Sequence, residues 1–363
     1  MNTSNYVRAR QRLPEQLVHE VREKIALHEQ AQTSHLWQER HVYIIDGTTI
    51  LLPDTEANQS VWPQHRGQKP GIGFPILKLT ALMSLATGCV AQYAIGPIRG
   101  CSELELGRKF FQHLKPKDVI VGDRIWDNFW FWHEVQRLDL DGVARVTTRR
   151  KWRKKKKLGH NDYLVKINGQ KWSQLHSRRW NITHEEYDKL PKELELRLVK
   201  IQVKRPGFRI KTLQVLTTLM KPSAEEIADL YLQRWNIELD LRNIKTTMKM
   251  DRLSCKTPDM IRKELAVHWL AYNLIRKLQA ECGAMGLQGP RDISYKACLQ
   301  IYACLMHAIL PKRLIDSSIY IEILIELCKQ RVRTRPNRNE PRVVKARPKQ
   351  QLRMTKPRSN YKI

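Results

Sequence analysis

The sequence predicts a mixed α/β core, interrupted by a β-rich insertion and followed by a helical C-terminal part. Three observations predict it. Two apolar runs of strand length, VYII at 42–45 and VIVG at 119–122, each end in an acid, Asp46 and Asp123. Segments with helical spacing alternate with such runs, as an α/β core requires. Residues 149–220 then change texture, turning basic with strand-like alternation in RLVKIQVKR (197–205) and KTLQVLTTL (211–219).

The elements follow in order. PEQLVHEVREKIALHEQAQTSHL (14–36) has helical periodicity and a polar outer face. HVYIIDGTTILLPD (41–54) reads as a strand, a tight Asp-Gly turn and a second strand. Residues 55–75, with Pro63, Pro70, Gly71, Gly73 and Pro75, read as loop. ILKLTALMSLATG (76–88) and CVAQYAIGP (89–97) form a hairpin about Thr87-Gly88. SELELGRKFFQHL (102–114) is an amphipathic helix with Ser102 as N-cap and Glu105 at the third position. KDVIVGD (117–123) is a buried strand, NFWFWHEVQRL (128–138) a helix and GVARVTTR (142–149) a further strand. Pro222-Ser223 opens a long helix, and three more helical stretches lie near 258–282, 294–310 and 318–331. The expected organisation is a short or remnant N-terminal helical region (1–36), the first part of the core (37–148), the β-rich insertion (149–212) and the second part of the core (213–282). C-terminal helices (283–331) and a basic tail (332–363) complete it; four prolines, many charges and few apolar residues predict disorder in the tail.

Charge speaks about partners. The formal net charge is +29 and the pI about 10, which points to a polyanion, nucleic acid being the commonest. The charge is clustered: RRKWRKKKK at 149–157 has eight basic residues in nine, and 331–363 carries twelve Lys and Arg against Glu340 alone. Both clusters read as DNA-phosphate contacts, with a solvated loop and a plain disordered terminus as their bland counterparts. Seven cysteines without a CxxC argue against a disulfide framework and a zinc site, and fit a reducing cytosol. The N-terminus has no apolar core for a signal peptide, and no apolar run reaches the ~18 residues of a membrane span. GxSxG, HExxH and GxxxxGK[ST] are absent.

The most informative segment is YLQRWNIELDLRNIK at 231–245. On one continuous helix at about 100° per residue, Tyr231, Arg234, Glu238 and Lys245 project from one stripe about 60° wide, with Arg242 and Lys249 close to it. Ile237, Leu241, Ile244 and Met248 fill an adjoining arc that can pack on a core. Such a face presents one carboxylate within a basic row, suited to a metal ion beside a phosphate backbone. The same spacing also describes a surface helix with Glu238 paired to Arg234 and Arg242. Asp46 and Asp123 end buried strands, where two acids a few ångströms apart repel unless a cation relieves them. Two or three carboxylates of this kind suit Mg²⁺ or Mn²⁺, and two ions about 4 Å apart would activate an attacking oxygen and stabilise a leaving one. Asp46 is equally readable as a hairpin-turn residue and Asp123 as a strand-end or helix-start residue; Asp54 and Asp127 are the nearest competitors.

With these residues in hand, the chain resembles the DDE transposases of bacterial insertion sequences, in particular the IS-four group with the Tyr-(2)-Arg-(3)-Glu-(6)-Lys signature. Tyr231, Arg234, Glu238 and Lys245 reproduce every interval. IIDGTTI resembles the first-aspartate strand, VIVGDRIWDN the second, and YLQRWNIELDLRNIKTTMKMDRLSCKTPD the glutamate helix, across roughly 36–310. The resemblance implies an RNase H-like mixed-sheet catalytic domain with Asp46, Asp123 and Glu238 as a triad holding Mg²⁺ or Mn²⁺, expected as two ions. It implies cleavage of transposon-end phosphodiesters and joining of the 3′-hydroxyl to target DNA. Tyr231, Arg234 and Lys245 would then grip the transposon-end backbone, with Arg242 and Lys249 in support. Trp235 could stack on a terminal base, as could Trp152, Trp172 and Trp180. The expected partners are double-stranded transposon-end and target DNA and a second copy in a synaptic homodimer, without a membrane, in a bacterial cytoplasm at the nucleoid. Only 45 residues precede Asp46, and the opening resembles the end of a DNA-recognition region. An N-terminally truncated regulator that binds DNA or transposase without transposing is therefore the alternative.

Overall fold

A computed structural model of the chain describes residues 3–146, 152–169, 171–172, 182–202, 212–286, 289–309, 317–332 and 351–360. Among them, nine strands form one sheet in the order β3-β2-β1-β4-β5-β9-β8-β7-β6. β1 (Val42–Leu51), β2 (Ile76–Ser84) and β3 (Val90–Pro97) form an antiparallel meander. β4 (Val119–Gly122) and β5 (Asp141–Arg145) lie on the other side of β1 and run parallel to it. This 3-2-1-4-5 half is the RNase H-like mixed sheet. β9 (Thr212–Thr217) pairs antiparallel with β5, and β8 (Glu193–Gln202), β7 (Asp162–Asn168) and β6 (Arg153–Gly159) continue outward from it. The insertion strands thus extend the core sheet. The lysine-rich β6 is its outer edge, where Lys156 and Lys157 are exposed and like charges discourage pairing with another chain.

Alternation along β1 sends side chains to two different cores. Val42, Ile44 and Ile50 face a layer with Ile237, Leu241, Ile244, Trp269 and Tyr272. Tyr43 and Ile45 face the opposite layer with Leu104, Trp126, Phe131 and Trp132. The first layer is built by α2 (Glu15–Gln32), α7 (Ala224–Leu232), α8 (Trp235–Arg242) and the 29-residue α9 (Pro258–Gly286); α1 (Thr3–Arg12) precedes them. The second layer carries α4 (Glu103–Arg108) and α5 (Phe129–Arg137). Short helices α3 (Glu56–Val61) and α6 (His184–Asp188) sit in connections, and α10 (Tyr295–Ile309) and α11 (Ser317–Cys328) close the C-terminal side. No described helix is long and apolar enough to cross a membrane.

Three expectations are corrected. The Asp46-Gly47 pair is no turn: β1 runs straight through it, paired with β2 from Tyr43↔Ser84 to Leu51↔Ile76. A nine-rung ladder overrides the local turn preference of Asp-Gly. The helix expected from Ser223 onward begins there, on a capping box with Glu226, but it is not continuous. The N–H groups of Arg234, Asn236 and Ile237 bond three residues back, tightening the chain between α7 and α8. A π-helical segment, Asn243–Thr247, then ends α8. The tail expected to be disordered is docked at 351–360. Arg358 makes two 2.8 Å hydrogen bonds to Asp54 and a third to the Gly73 carbonyl, while the Met354 N–H donates to Ile72. The remainder of that tail from 333 to 350, residues 149–151 of the basic cluster, and Trp180 lie outside the described residues.

Two buried ion networks hold the helical layer to the sheet. Arg197 of β8 forks onto Asp162 of β7 at 2.9 and 2.6 Å and also donates to the carbonyls of Leu219, Met220 and Pro222. It thereby fixes the turn from β9 into α7. Asp240 of α8, 1% exposed, receives Arg276 of α9 and Arg291, and Arg291 also donates to the carbonyls of Ser84 and Leu85 after β2. The helix that carries Glu238 is therefore clamped to both α9 and the sheet.

Candidate active site

The parallel register of β1 and β4 pairs Ile45 with Gly122, so Asp46 and Asp123 stand side by side one residue beyond. Neighbouring strands lie about 4.8 Å apart, which sets the scale of their separation. Asp123 is the N-cap of a short turn at Arg124–Trp126, its Oδ1 accepting the Ile125 N–H at 2.8 Å. Asp46 accepts the Gly47 N–H at 2.8 Å and faces α8 across the first layer.

Arg234 connects this pair to Glu238. One guanidinium nitrogen lies 3.9 Å from Asp46 Oδ2, and the other donates to Glu238 Oε1 at 2.9 Å. The three acids influence one another electrostatically. Burial pushes the Asp46 carboxyl up to about 6; the Gly47 N–H and Arg234 oppose this, and the charges of Asp123 and Glu238 add to it. Among the described residues, no three His, Cys, Asp or Glu side chains stand at a spacing that would hold one ion. The donor set nonetheless fits a hard divalent cation. It consists of carboxylate oxygens only, they repel one another, and a positive group already bridges two of them.

The other residues of the signature sit around this centre. Tyr231 is 6% exposed; burial raises its pKa, while Arg234 and Arg145 oppose the shift. Lys245 lies in the π segment and donates to Thr48 Oγ1 at 3.0 Å and to the Thr49 carbonyl at 3.1 Å, two and three residues along β1 from Asp46. The π segment breaks the 100° progression, so Lys245 points to the sheet rather than along an outer stripe. Trp235 is 39% exposed at the first position of α8. Arg242 is exposed at the end of α8, and Lys249 is exposed beyond the helix with φ 59°. The structure thus gathers Asp46, Asp123, Arg234 and Glu238, with Tyr231 behind and Lys245 tied to β1, and leaves Arg242 and Lys249 outside. Asp54 is committed to Arg358, and Asp127 Oδ1 accepts the Trp132 indole N–H at 3.2 Å. Trp152 donates to Gln214 and Trp172 stacks on His184.

One carboxylate went unnoticed in the sequence. Glu103, in the first turn of α4, lies on the second layer with its carboxyl beside Gly47 and feels the charges of both aspartates. Burial pushes its carboxyl up to about 8, helped by the charges of Asp46 and Asp123 and opposed by Lys78. The one sequence signal was an acid beside a well-formed cap, which local reading assigns to the helix end.

These shifts fix a pH dependence. Asp46 and Glu103 bind protons more tightly folded than unfolded, so ionising them costs the fold. Their contribution to stability is whole below the unfolded values, 3.8 and 4.5, and is lost as pH rises through about 6 and about 8. Thermal melts in EDTA are expected to show this contribution as a decline in Tm toward alkaline pH, and Mg²⁺ is expected to reverse more of the decline at high pH, where the carboxyls are ionised. A Mg²⁺ effect that is largest at acid pH would contradict it.

A mixed sheet with Asp46 within β1 and Asp123 just beyond the parallel β4, covered by helices on both faces, defines a mixed α/β protein. The chain belongs to the DDE transposase family, because the family model described as "Transposase DDE domain" matches residues 37–274. Members of that family are DNA-binding enzymes of transposition. The chain is 30% identical over 360 residues to the transposase InsG for insertion sequence element IS4 of Escherichia coli, covering 95% of this chain and 77% of that one. It is 35% identical over 68 residues to a probable transposase for insertion sequence element IS5377 of Geobacillus stearothermophilus, covering 19% and 18%. A solved structure of Ciona intestinalis endonuclease V in complex with DNA matches 72% of this chain and 98% of that chain at 11% identity, with a TM-score of 0.22, too low to carry weight.

Proposed function

We propose that the chain cleaves phosphodiester bonds at the ends of its element and joins the freed 3′-hydroxyls to target DNA, using divalent cations held by Asp46, Asp123 and Glu238. The observation that supports this reading is the register that puts Asp46 of β1 and Asp123, just beyond β4, in neighbouring positions, with Arg234 lying 3.9 Å from Asp46 and hydrogen-bonded to Glu238 at 2.9 Å. Bound Mg²⁺ or Mn²⁺, in two positions, would supply Lewis acidity for the attacking and leaving oxygens. The chain's own residues do the rest. The ladder fixes the backbone of Asp46, the Arg124–Trp126 turn fixes that of Asp123, and each carboxylate is oriented by a backbone N–H, from Gly47 and Ile125. Arg234 serves as a charge that can pass from Glu238 and Asp46 to a backbone phosphate. Tyr231 backs Arg234, and Trp235 offers an aromatic face at the mouth of the site. The basic β6 edge extends the phosphate-binding surface, and two copies bridge the two ends in a homodimer.

The test is incubation of the full chain with duplex DNA carrying the inverted repeats that flank the gene. Cleavage with Mg²⁺ or Mn²⁺ that leaves 3′-hydroxyls, followed by their transfer to a plasmid target, is the expected result. Binding without cleavage under either ion would favour a DNA-binding regulator instead. Lys245→Ala is expected to remove footprint protection at the terminal base pairs while internal protection persists, because Lys245 is anchored next to Asp46. Uniform loss of protection along the footprint would reject that role.

A further inference from the structure

We propose that Glu103 is a fourth oxygen donor to the cation site, reaching it from the opposite face of the sheet through the space left by Gly47. The inference rests on the reading of Asp46, Asp123 and Glu238 as the cation-holding acids. It adds a residue from an element that the signature does not include.

Three observations carry it. Gly47 follows Asp46 on β1 and, by alternation, shares the face of Tyr43 and Ile45, the face that α4 covers. A Cβ at Gly47 would fall 2.4 Å from both Cδ and Oε2 of Glu103, so the carboxyl occupies the volume that any other side chain at 47 would take. Glycine here leaves the Glu103 carboxyl its place; a Cβ would displace that side-chain end without straining β1, which is regular through Gly47. Second, the carboxyl is not serving its own helix. Glu105 completes the capping box with Ser102, and among the described residues no group donates a hydrogen bond to the Glu103 carboxylate. An acid that merely complemented the helix end would stand in solvent beside the free N–H groups. Third, α4 is fixed in place: the Glu103 carbonyl accepts the Thr80 hydroxyl at 3.3 Å, and Leu104 and Leu106 are 3% and 2% exposed. The helix that carries the carboxyl is therefore held against β1 and β2, and the charge of Lys78 acts on that carboxyl while Lys78 itself donates to the Cys101 carbonyl.

With this donor, the site takes carboxylates from both faces of one sheet. Asp46 and Asp123 form the centre, Glu238 approaches from the α8 side and Glu103 from the α4 side. Four carboxylates would offer two divalent cations more oxygen donors and more neutralising charge than three do.

The experiment titrates Mn²⁺ alone into the full chain and counts bound ions by the loss of the free-ion EPR signal. Wild type, Glu103→Gln, Gly47→Ala and Asp123→Asn are compared, with melts in EDTA to verify folding. Glu103→Gln is expected to lose one ion or to weaken it by about tenfold or more. Gly47→Ala leaves Glu103 in the chain but displaces its carboxyl, the flexible end of a side chain, and is expected to show the same loss. This second variant decides the matter if the first fails to fold. Mn²⁺ binding unchanged in both variants, with Asp123→Asn impaired, would overturn the role of Glu103 and leave the three-acid site standing. Binding unchanged in Asp123→Asn as well would overturn both.

Discussion

Replacing Asp123 with alanine is expected to lower cleavage at the element's ends by about 10³-fold or more, while the affinity for the same duplex stays within a few-fold of wild type. Asp123 stands one residue beyond the Ile45↔Gly122 pair, next to Asp46, which is where the proposed function needs a carboxylate. Losing one fixed charge from a site that stabilises developing charge costs on that scale. DNA affinity comes mainly from Lys and Arg contacts to phosphate, which this change leaves untouched, and removing a negative charge near DNA works if anything in favour of binding. Single-turnover cleavage and filter binding on one duplex separate the two effects. Equal losses in both would show that Asp123 supports the structure rather than the chemistry.

Asp240→Ala is expected to destabilise the fold by about 3–5 kcal/mol, the usual cost of leaving buried charges without their partner. Asp240 is 1% exposed and receives two guanidinium groups, those of Arg276 and Arg291. Arg276 is itself 3% exposed, and its pKa is held above the ordinary arginine value against burial by Asp240 and Tyr272. Truncation would strand that charge and free α8 from α9 and from the Ser84 and Leu85 carbonyls. A drop in Tm of about 4–7 °C follows for a chain of this size. Lys117→Ala, at the exposed pair with Asp139, provides the comparison, and a measurable change is not expected there. A Tm shift no larger for Asp240→Ala than for Lys117→Ala would rule out the clamp.

Features encoded over a few residues were legible in the sequence. The capping boxes at Ser102 with Glu105 and Ser223 with Glu226 are local, and both helices begin where that spacing puts them. The VYII and VIVG strands and the Thr87-Gly88 hairpin were legible for the same reason; Gly88 takes the positive φ of 75° that a tight turn uses. Ile237, Leu241 and Ile244 showed their buried face through spacing alone. What failed depended on distant partners. Asp46-Gly47 looks like a turn until β2 pairs along the whole of β1. The tightened turn at Arg234 and the π segment at Asn243–Thr247 carry no Gly or Pro to announce them, and they redirect Lys245 onto Thr48. The C-terminal residues look disordered by composition, yet Arg358 finds Asp54 across 304 positions of chain. Glu103 was hidden by the same circumstance, since its neighbour in space is a glycine 56 residues earlier.

The central claim is that Asp46, Asp123 and Glu238 come together to hold divalent ions over DNA. Anomalous diffraction from Mn²⁺ in crystals of the full chain bound to an element-end duplex tests it most directly. The account predicts peaks enclosed by oxygens of these three carboxylates, with Arg234 moved onto a DNA phosphate. Peaks elsewhere, or a Glu238 carboxylate still paired with Arg234 and turned from the ions, would contradict it.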